Sequence, residues 1–187
     1  MLIRSERLLL RAAEDADAAF VTALFNADES VIAYGPHFPV STRATLEKLR
    51  ASRSVSLLAQ RLEDEAPVGF VRFWLSWGDT VMNVDDVIFS AQYQGAGYGR
   101  EALGALLDHF FRQWGGRRVE LQVRSHNERA VRTYKCLGFV EEGRRRQVVP
   151  PGWGAGTDPD YLLMGLLADE YVPPEPREGD SHERHGH

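Results

Sequence analysis

The sequence is short of several things, and each shortage excludes a class of protein. Among 187 residues there is one cysteine, Cys136. No intrachain disulfide can form, and a single thiol beside six scattered histidines makes no zinc framework. A reducing compartment is expected. Long apolar runs are missing too: no stretch reaches the ~20 residues of a membrane span. The opening Met1-Leu-Ile-Arg-Ser-Glu-Arg-Leu-Leu-Leu-Arg11 is broken by charge too often to form the apolar core of a signal peptide. The expected location is therefore cytoplasmic. Basic charge is not in excess either. Twenty-two Lys and Arg against 27 Asp and Glu leave a net charge of -5, which disfavours a nucleic-acid partner and favours a cationic one. No segment repeats at a fixed period, which sets aside solenoids and propellers.

What remains is an ordinary globular composition, 43% hydrophobic and 26% charged, enough for one core. The compositional break comes at the end. Residues 1–171 read as one domain and residues 172–187 as a disordered tail rich in Pro, charge and His (His182, His185, His187), with no metal site. Within the domain, strand-like and helix-like stretches alternate. Residues 8–11 read as a strand and 15–25 as a helix capped by Asp15, and Ser41 caps a second helix over 42–51. Residues 54–61, 68–75 and 82–89 form an antiparallel meander. A glycine-rich loop then leads into a helix ending near Trp114, followed by a strand over 119–123. A helix over 128–137 is closed by Gly138, and strands over 139–149 and 161–167 complete the order. The economical packing is an α/β (α+β) fold: a mixed, mostly antiparallel sheet of about seven strands flanked by helices.

The chemistry concentrates where a strand gives way to a helix, in Ala91-Gln-Tyr-Gln-Gly-Ala-Gly-Tyr-Gly-Arg-Glu-Ala102. Glycines there let backbone N–H groups approach an anion, and the helix N-terminus adds unpaired donors; the same glycines can also simply make a tight turn. A Walker loop would end in Gly-Lys-Ser or Gly-Lys-Thr, which is absent. A dinucleotide fingerprint needs a third glycine where Arg100 stands, so an NAD-dependent enzyme is only a distant alternative.

Gln94-Gly-Ala-Gly-Tyr-Gly99 resembles the Gln/Arg-x-x-Gly-x-Gly/Ala coenzyme A loop of the GNAT acetyltransferase superfamily. Asn127-Glu-Arg-Ala130 followed by Tyr134-Lys-Cys-Leu-Gly-Phe139 is similar to the same family's Asn-x-x-Ala-x-x-x-Tyr-x-x-x-Gly-Phe. Arg7-Leu-Leu-Leu-Arg11 is similar to the opening strand of the ribosomal-protein and spermidine N-acetyltransferase-like branch. The resemblance implies strands splayed beside the loop and acetyl-CoA as acyl donor, with no metal. It also implies direct transfer to a small-molecule or peptide primary amine in a ternary complex. Ile88, Phe89 and Ser90 would offer backbone groups to the pantetheine arm, and Gln94, Gly95, Ala96, Gly97, Tyr98, Gly99 and Arg100 would hold the pyrophosphate. Asn127 would fix the splayed strand or bond the cofactor arm, or cap its helix. Tyr134 takes the family position of the acid that protonates the leaving thiolate, a role its ordinary pKa near ~10 permits. Edge strands in such sheets pair in some dimers, so a homodimer is possible.

Two carboxylates, Asp85 and Asp86, interrupt the apolar strand before the loop. Strand alternation lets only one of them look into an acceptor pocket. A desolvated carboxylate there would serve as base or hold a protonated amine; the other readings are a water-mediated base, and two acids facing solvent beside a bulge. For the acceptor channel the resemblance nominates Glu29, Tyr34, Trp77 and Trp153, aromatic and acidic groups suited to a cation. A different kind of function, a non-catalytic acyl-CoA-binding or regulatory module of the same fold, stays open.

Overall fold

The structure, a computed structural model, describes residues 2–27, 39–148 and 159–173. Within them eight strands form one sheet: β1 (Leu2–Arg4), β2 (Leu8–Ala12), β3 (Val55–Arg61), β4 (Pro67–Ser76), β5 (Val81–Phe89), β6 (Arg118–Arg124), β7 (Val140–Arg145) and β8 (Tyr161–Leu167). The spatial order is β1-β2-β3-β4-β5-β6-β8-β7, antiparallel throughout except between β5 and β6. Four α-helices are described: α1 (Ala18–Asn26), α2 (Thr42–Leu49), α3 (Tyr98–Gln113) and α4 (Glu128–Cys136).

The eighth strand, β1, has three residues of which only Ile3 is buried, too short for a periodic signal. It exists because Ile3 pairs with Leu10 of the strand that follows. The first helix begins as a 3-10 turn over Asp15–Asp17, and its cap involves Asp17, not Asp15: the Glu14 N–H donates to Asp17 Oδ2 at 2.8 Å, while Asp15 pairs with Arg50. Ser41 does cap α2, accepting from the Ala44 N–H at 3.2 Å. β7 ends at Arg145, not 149, and Gln147 already has a left-handed φ of 52°. Most of the expected C-terminal tail, with its three histidines, lies outside the described residues.

Each face of the sheet buries one layer of helix. α3 and α4 cover one face, where Leu103, Leu106, Leu107 and Phe110 pack on Leu57, Val71, Met82 and Leu121. α1 and the apolar end of α2 cover the other, over Leu58, Phe70 and Ile88. Fully burying each such side chain stabilises the fold by roughly 1.5–3 kcal/mol.

Two irregularities in β5 create the site. Arg72 lies opposite Asp86 and Phe73 opposite Val84, so Asp85 is the extra residue of a β-bulge. The bulge shifts the alternation: Val84, Val87 and Phe89 pack with the α3 layer, whereas Ile88 packs with the α1 layer and Asp86 meets Lys48 of α2. The parallel pairing of β5 with β6 runs only from Val81–Arg118 to Val84–Leu121. Beyond that point the two strands diverge, and a cleft opens at the carboxyl ends of the parallel pair, the place where sheets of this kind receive ligands.

Candidate active site

The cleft has a volume of about 660 Å³, within the range of small-molecule sites. Its two arms are β5 with the glycine loop and β6 with the start of α4. Gly95 and Gly97 have φ of 81° and 83°, a left-handed conformation that turns successive N–H groups to one side. Gly97 precedes α3 directly and the helix has no side-chain cap. Among the described residues the backbone N–H groups of residues 95–100 donate to no acceptor; the first one taken up is that of Glu101, by the Gly97 carbonyl at 3.0 Å. Gly95, Gly97, Tyr98, Gly99 and Arg100 line the cleft beside the positive end of a 16-residue helix, an arrangement suited to a polyanion.

The Ser90 N–H donates to the Val68 carbonyl at 3.0 Å, which fixes the hydrogen-bond alternation along β5. Ser90 and Ile88 direct their backbone groups to β4, whereas Val87 and Phe89 direct theirs toward β6, where the strands have parted. Of the three residues expected to serve the cofactor arm, only Phe89 keeps that orientation. The register that decides this is set across strands and leaves no trace in local spacing. The Gln94 side chain is a brace: its Nε2 donates to the Phe89 carbonyl at 3.0 Å and its Oε1 accepts from Arg129 Nη1 at 2.5 Å. The Phe89 ring occupies the room left by two glycines, since a Cβ at Gly69 would lie 2.4 Å from it and one at Gly99 3.4 Å.

Across the cleft stands Tyr134, held by α4 with its ring 5.8 Å from that of Phe139. It is 8% exposed and lines the cleft, and its hydroxyl makes no hydrogen bond among the described residues. Burial pushes its pKa up to about 12, because the phenolate would lose its hydration. The hydroxyl is thus a proton donor throughout the neutral range. Below pH 10 folded and unfolded chains both keep this proton. Between about pH 10 and 12 the unfolded chain releases it and the folded chain does not, so about 2–3 kcal/mol of stability is lost over that window. Tyr171, also raised to about 12 by burial, steepens the same decline. Denaturant midpoints at pH 9 and 11.5 should therefore fall, and fall less in Tyr134→Phe; equal falls in the two proteins would show that this proton is not linked to folding.

Asn127 uses its side chain to cap α4, Oδ1 accepting from the Ala130 N–H at 3.2 Å, and sits on the cleft wall. Asp85 is on the cleft lining and Asp86 is not, but the bulge, not simple alternation, sets their places, and both carboxylates reach one guanidinium. A shared partner, Arg72, went unnoticed in the sequence: its Nε donates to Asp86 Oδ2 at 2.7 Å and its Nη2 to Asp85. Asp86 also meets Lys48 Nζ at 3.4 Å. Neither carboxylate stands alone as a base.

Residues 9–139 match the model described as the Acetyltransferase (GNAT) family. The chain belongs to the GNAT acetyltransferase family. It is 24% identical over 176 residues to an uncharacterized N-acetyltransferase, YnaD, of Bacillus subtilis, covering 91% of this chain and 99% of that one. A GNAT-family acetyltransferase from Bacillus anthracis superposes with a TM-score of 0.76 at 23% identity, over 91% of this chain and 100% of that structure. The spermidine N-acetyltransferase of Vibrio cholerae, solved in complex with CoA and spermine, gives 0.73 at 24% identity, over 88% and 97%.

As a GNAT enzyme the protein is an acetyl-CoA-dependent N-acetyltransferase, and the cleft fits that donor. A concentration of free N–H groups at one end suits a pyrophosphate, and the apolar walls suit a thioester. Other nominated residues are placed less centrally. Arg100 is exposed on the first turn of α3 at the cleft margin. Trp77 is 78% exposed on the β4–β5 turn. It lies beyond the far end of β5 from Phe89, roughly 25 Å or more away at ~3.3 Å per residue, and does not line the cleft. Glu29, Tyr34 and Trp153 lie outside the described residues. Arg124, which no local motif singles out, is 2% exposed on the cleft wall, 5.6 Å from the Tyr161 ring centroid. Among the described residues no group of three His, Cys, Asp or Glu side chains could hold a metal, and no helix is long and apolar enough to cross a membrane.

Proposed function

We propose that this enzyme transfers the acetyl group of acetyl-CoA to a primary amine by direct attack in a ternary complex. The observation that carries this reading is the Tyr134 hydroxyl, protonated, without an internal partner, and on the same cleft as an uncapped helix N-terminus. Acetyl-CoA supplies an activated thioester. The N–H groups of residues 95–100 hold its pyrophosphate, and the backbone of Phe89 aligns its arm. A neutral amine nitrogen forms the new C–N bond as the C–S bond breaks; Tyr134 gives its proton to the departing sulfur, the nitrogen sheds its proton to water, and Tyr134 regains a proton from water. Because Arg72 already pairs with Asp85, that carboxylate serves to attract and orient a cationic acceptor, with water as the immediate base.

The acceptor class we favour is a polyamine or similar cationic amine. The net charge of -5 and the half-exposed Asp85 in the cleft support it. So does the spermidine N(1)-acetyltransferase of Vibrio cholerae, 30% identical over 86 residues, though that match covers only 46% of this chain and 48% of that protein. Thiol release from acetyl-CoA should be faster with spermidine than with a monoamine or an amino-terminal peptide, and should slow as salt rises. Equal rates, or a preference for a neutral amine, would remove the cationic acceptor. The pairing of both carboxylates with Arg72 also favours a second reading, an acyl-CoA-binding module without turnover; binding of acetyl-CoA with no transfer to any amine would select it.

A further inference from the structure

Arg7 stands on the turn between β1 and β2, 89 residues from Ala96 in sequence, yet its side chain reaches the glycine loop. Its Nη2 donates to the Ala96 carbonyl at 3.1 Å, and its Nε donates to Glu101 Oε2, in the first turn of α3, at 2.7 Å. The other Glu101 oxygen accepts from the Arg7 backbone N–H at 2.7 Å and from Ser5 Oγ at 2.8 Å. The guanidinium also covers the Tyr98 ring, 4.4 Å from its centroid, and lies 3.6 Å from where a Cβ on Gly97 would be. One side chain thus touches the loop at Ala96 and Tyr98 and the helix that follows at Glu101.

The loop needs such a restraint. Gly95-Ala96-Gly97 carries no side chain that could hold its own shape, the helix has no side-chain cap, and the N–H groups that face the hollow have no internal partner to fix them. A flexible loop would lose entropy on gripping an anion, whereas one already held by its carbonyl side does not. Behind Arg7 the support continues, with Tyr98 and Tyr93 in edge contact at 6.0 Å and Arg61 over Tyr93 at 5.8 Å.

We infer that Arg7 is a positioning residue for the donor's pyrophosphate: it fixes the carbonyl side of the glycine loop so that the N–H side stays aligned. The inference rests on reading that loop as the pyrophosphate site. Glu101 neutralises the guanidinium, so the effect is geometric more than a pull on the phosphates. Charge alone cannot reproduce it, because a lysine cannot span Ala96 and Glu101 with a planar fork.

The test compares binding of CoA with binding of pantetheine, which lacks the pyrophosphate, in wild type, Arg7→Ala and Arg7→Lys, using calorimetry for CoA and ligand-observed NMR for pantetheine. The preference for CoA over pantetheine should shrink roughly 10-fold in both variants, the scale of losing a hydrogen-bonded charged group. If Arg7→Ala fails to fold, Arg7→Lys carries the comparison alone. A folded variant that keeps the full wild-type preference, or weakens both ligands equally, would overturn the positioning role. A wild-type protein with no preference for CoA would instead overturn the pyrophosphate reading of the loop, and the inference with it.

Discussion

Tyr134→Phe should lower kcat for acetyl transfer by roughly 10- to 10⁴-fold while leaving the Kd for acetyl-CoA within about twofold. The substitution keeps the ring, its contact with Phe139 and its place in the core, and removes only the hydroxyl. That hydroxyl has no partner among the described residues, so its loss leaves no buried acceptor orphaned and no large stability penalty arises. What disappears is the proton for the leaving sulfur. Without it the thiolate departs unprotonated, and the barrier to C–S cleavage rises. Rapid mixing under saturating acetyl-CoA measures kcat, and calorimetry measures Kd. A parallel loss in both would make Tyr134 a packing residue and leave the acid unassigned.

Gly97→Val should act on the opposite half of the site, raising the Kd for CoA roughly 10- to 100-fold. The space for a Cβ at Gly97 is adequate, since the nearest atom is Arg7 Nη2 at 3.6 Å. The cost comes from φ of 83°, which a β-branched residue resists. Relaxing that angle rotates the Ala96–Gly97 and Gly97–Tyr98 peptides, and with them the N–H groups facing the hollow. The same rotation would disturb the start of α3, so a melting curve should accompany the titration. A folded Gly97→Val protein that binds CoA as tightly as wild type would contradict the cradle.

Much of this architecture is legible along the chain because its elements are locally determined. The β3–β5 meander, the apolar stripe of α3 and the Gly138 stop after α4 each follow from periodicity and turn chemistry. The glycine loop and Tyr134 are legible by their motifs. What the sequence hides is settled across strands. The bulge at Asp85 decides which carboxylate enters the cleft, and it arises from the register of β5 against β4. Arg72 is recognisable as the partner of both acids only once that register is known. The orientation of the Val87 and Phe89 backbone, the reach of Arg7 to Ala96, and the burial of Arg124 are tertiary facts of the same kind. The place of Trp77, nominated by the resemblance, is of that kind too: the β4–β5 hairpin carries it to the end of the strand opposite Phe89.

The most direct measurement is a balance sheet of one reaction: acetyl-CoA mixed with the protein and spermidine, with free CoA, acetylated amine and acetylated protein each quantified by mass spectrometry. Free CoA and acetylated amine should appear in equal amounts, both requiring acceptor and donor together, with no acetylated protein along the way. CoA release without acetylated amine, or an acetylated protein that forms before the amine is added and then passes the group on, would contradict direct transfer in a ternary complex.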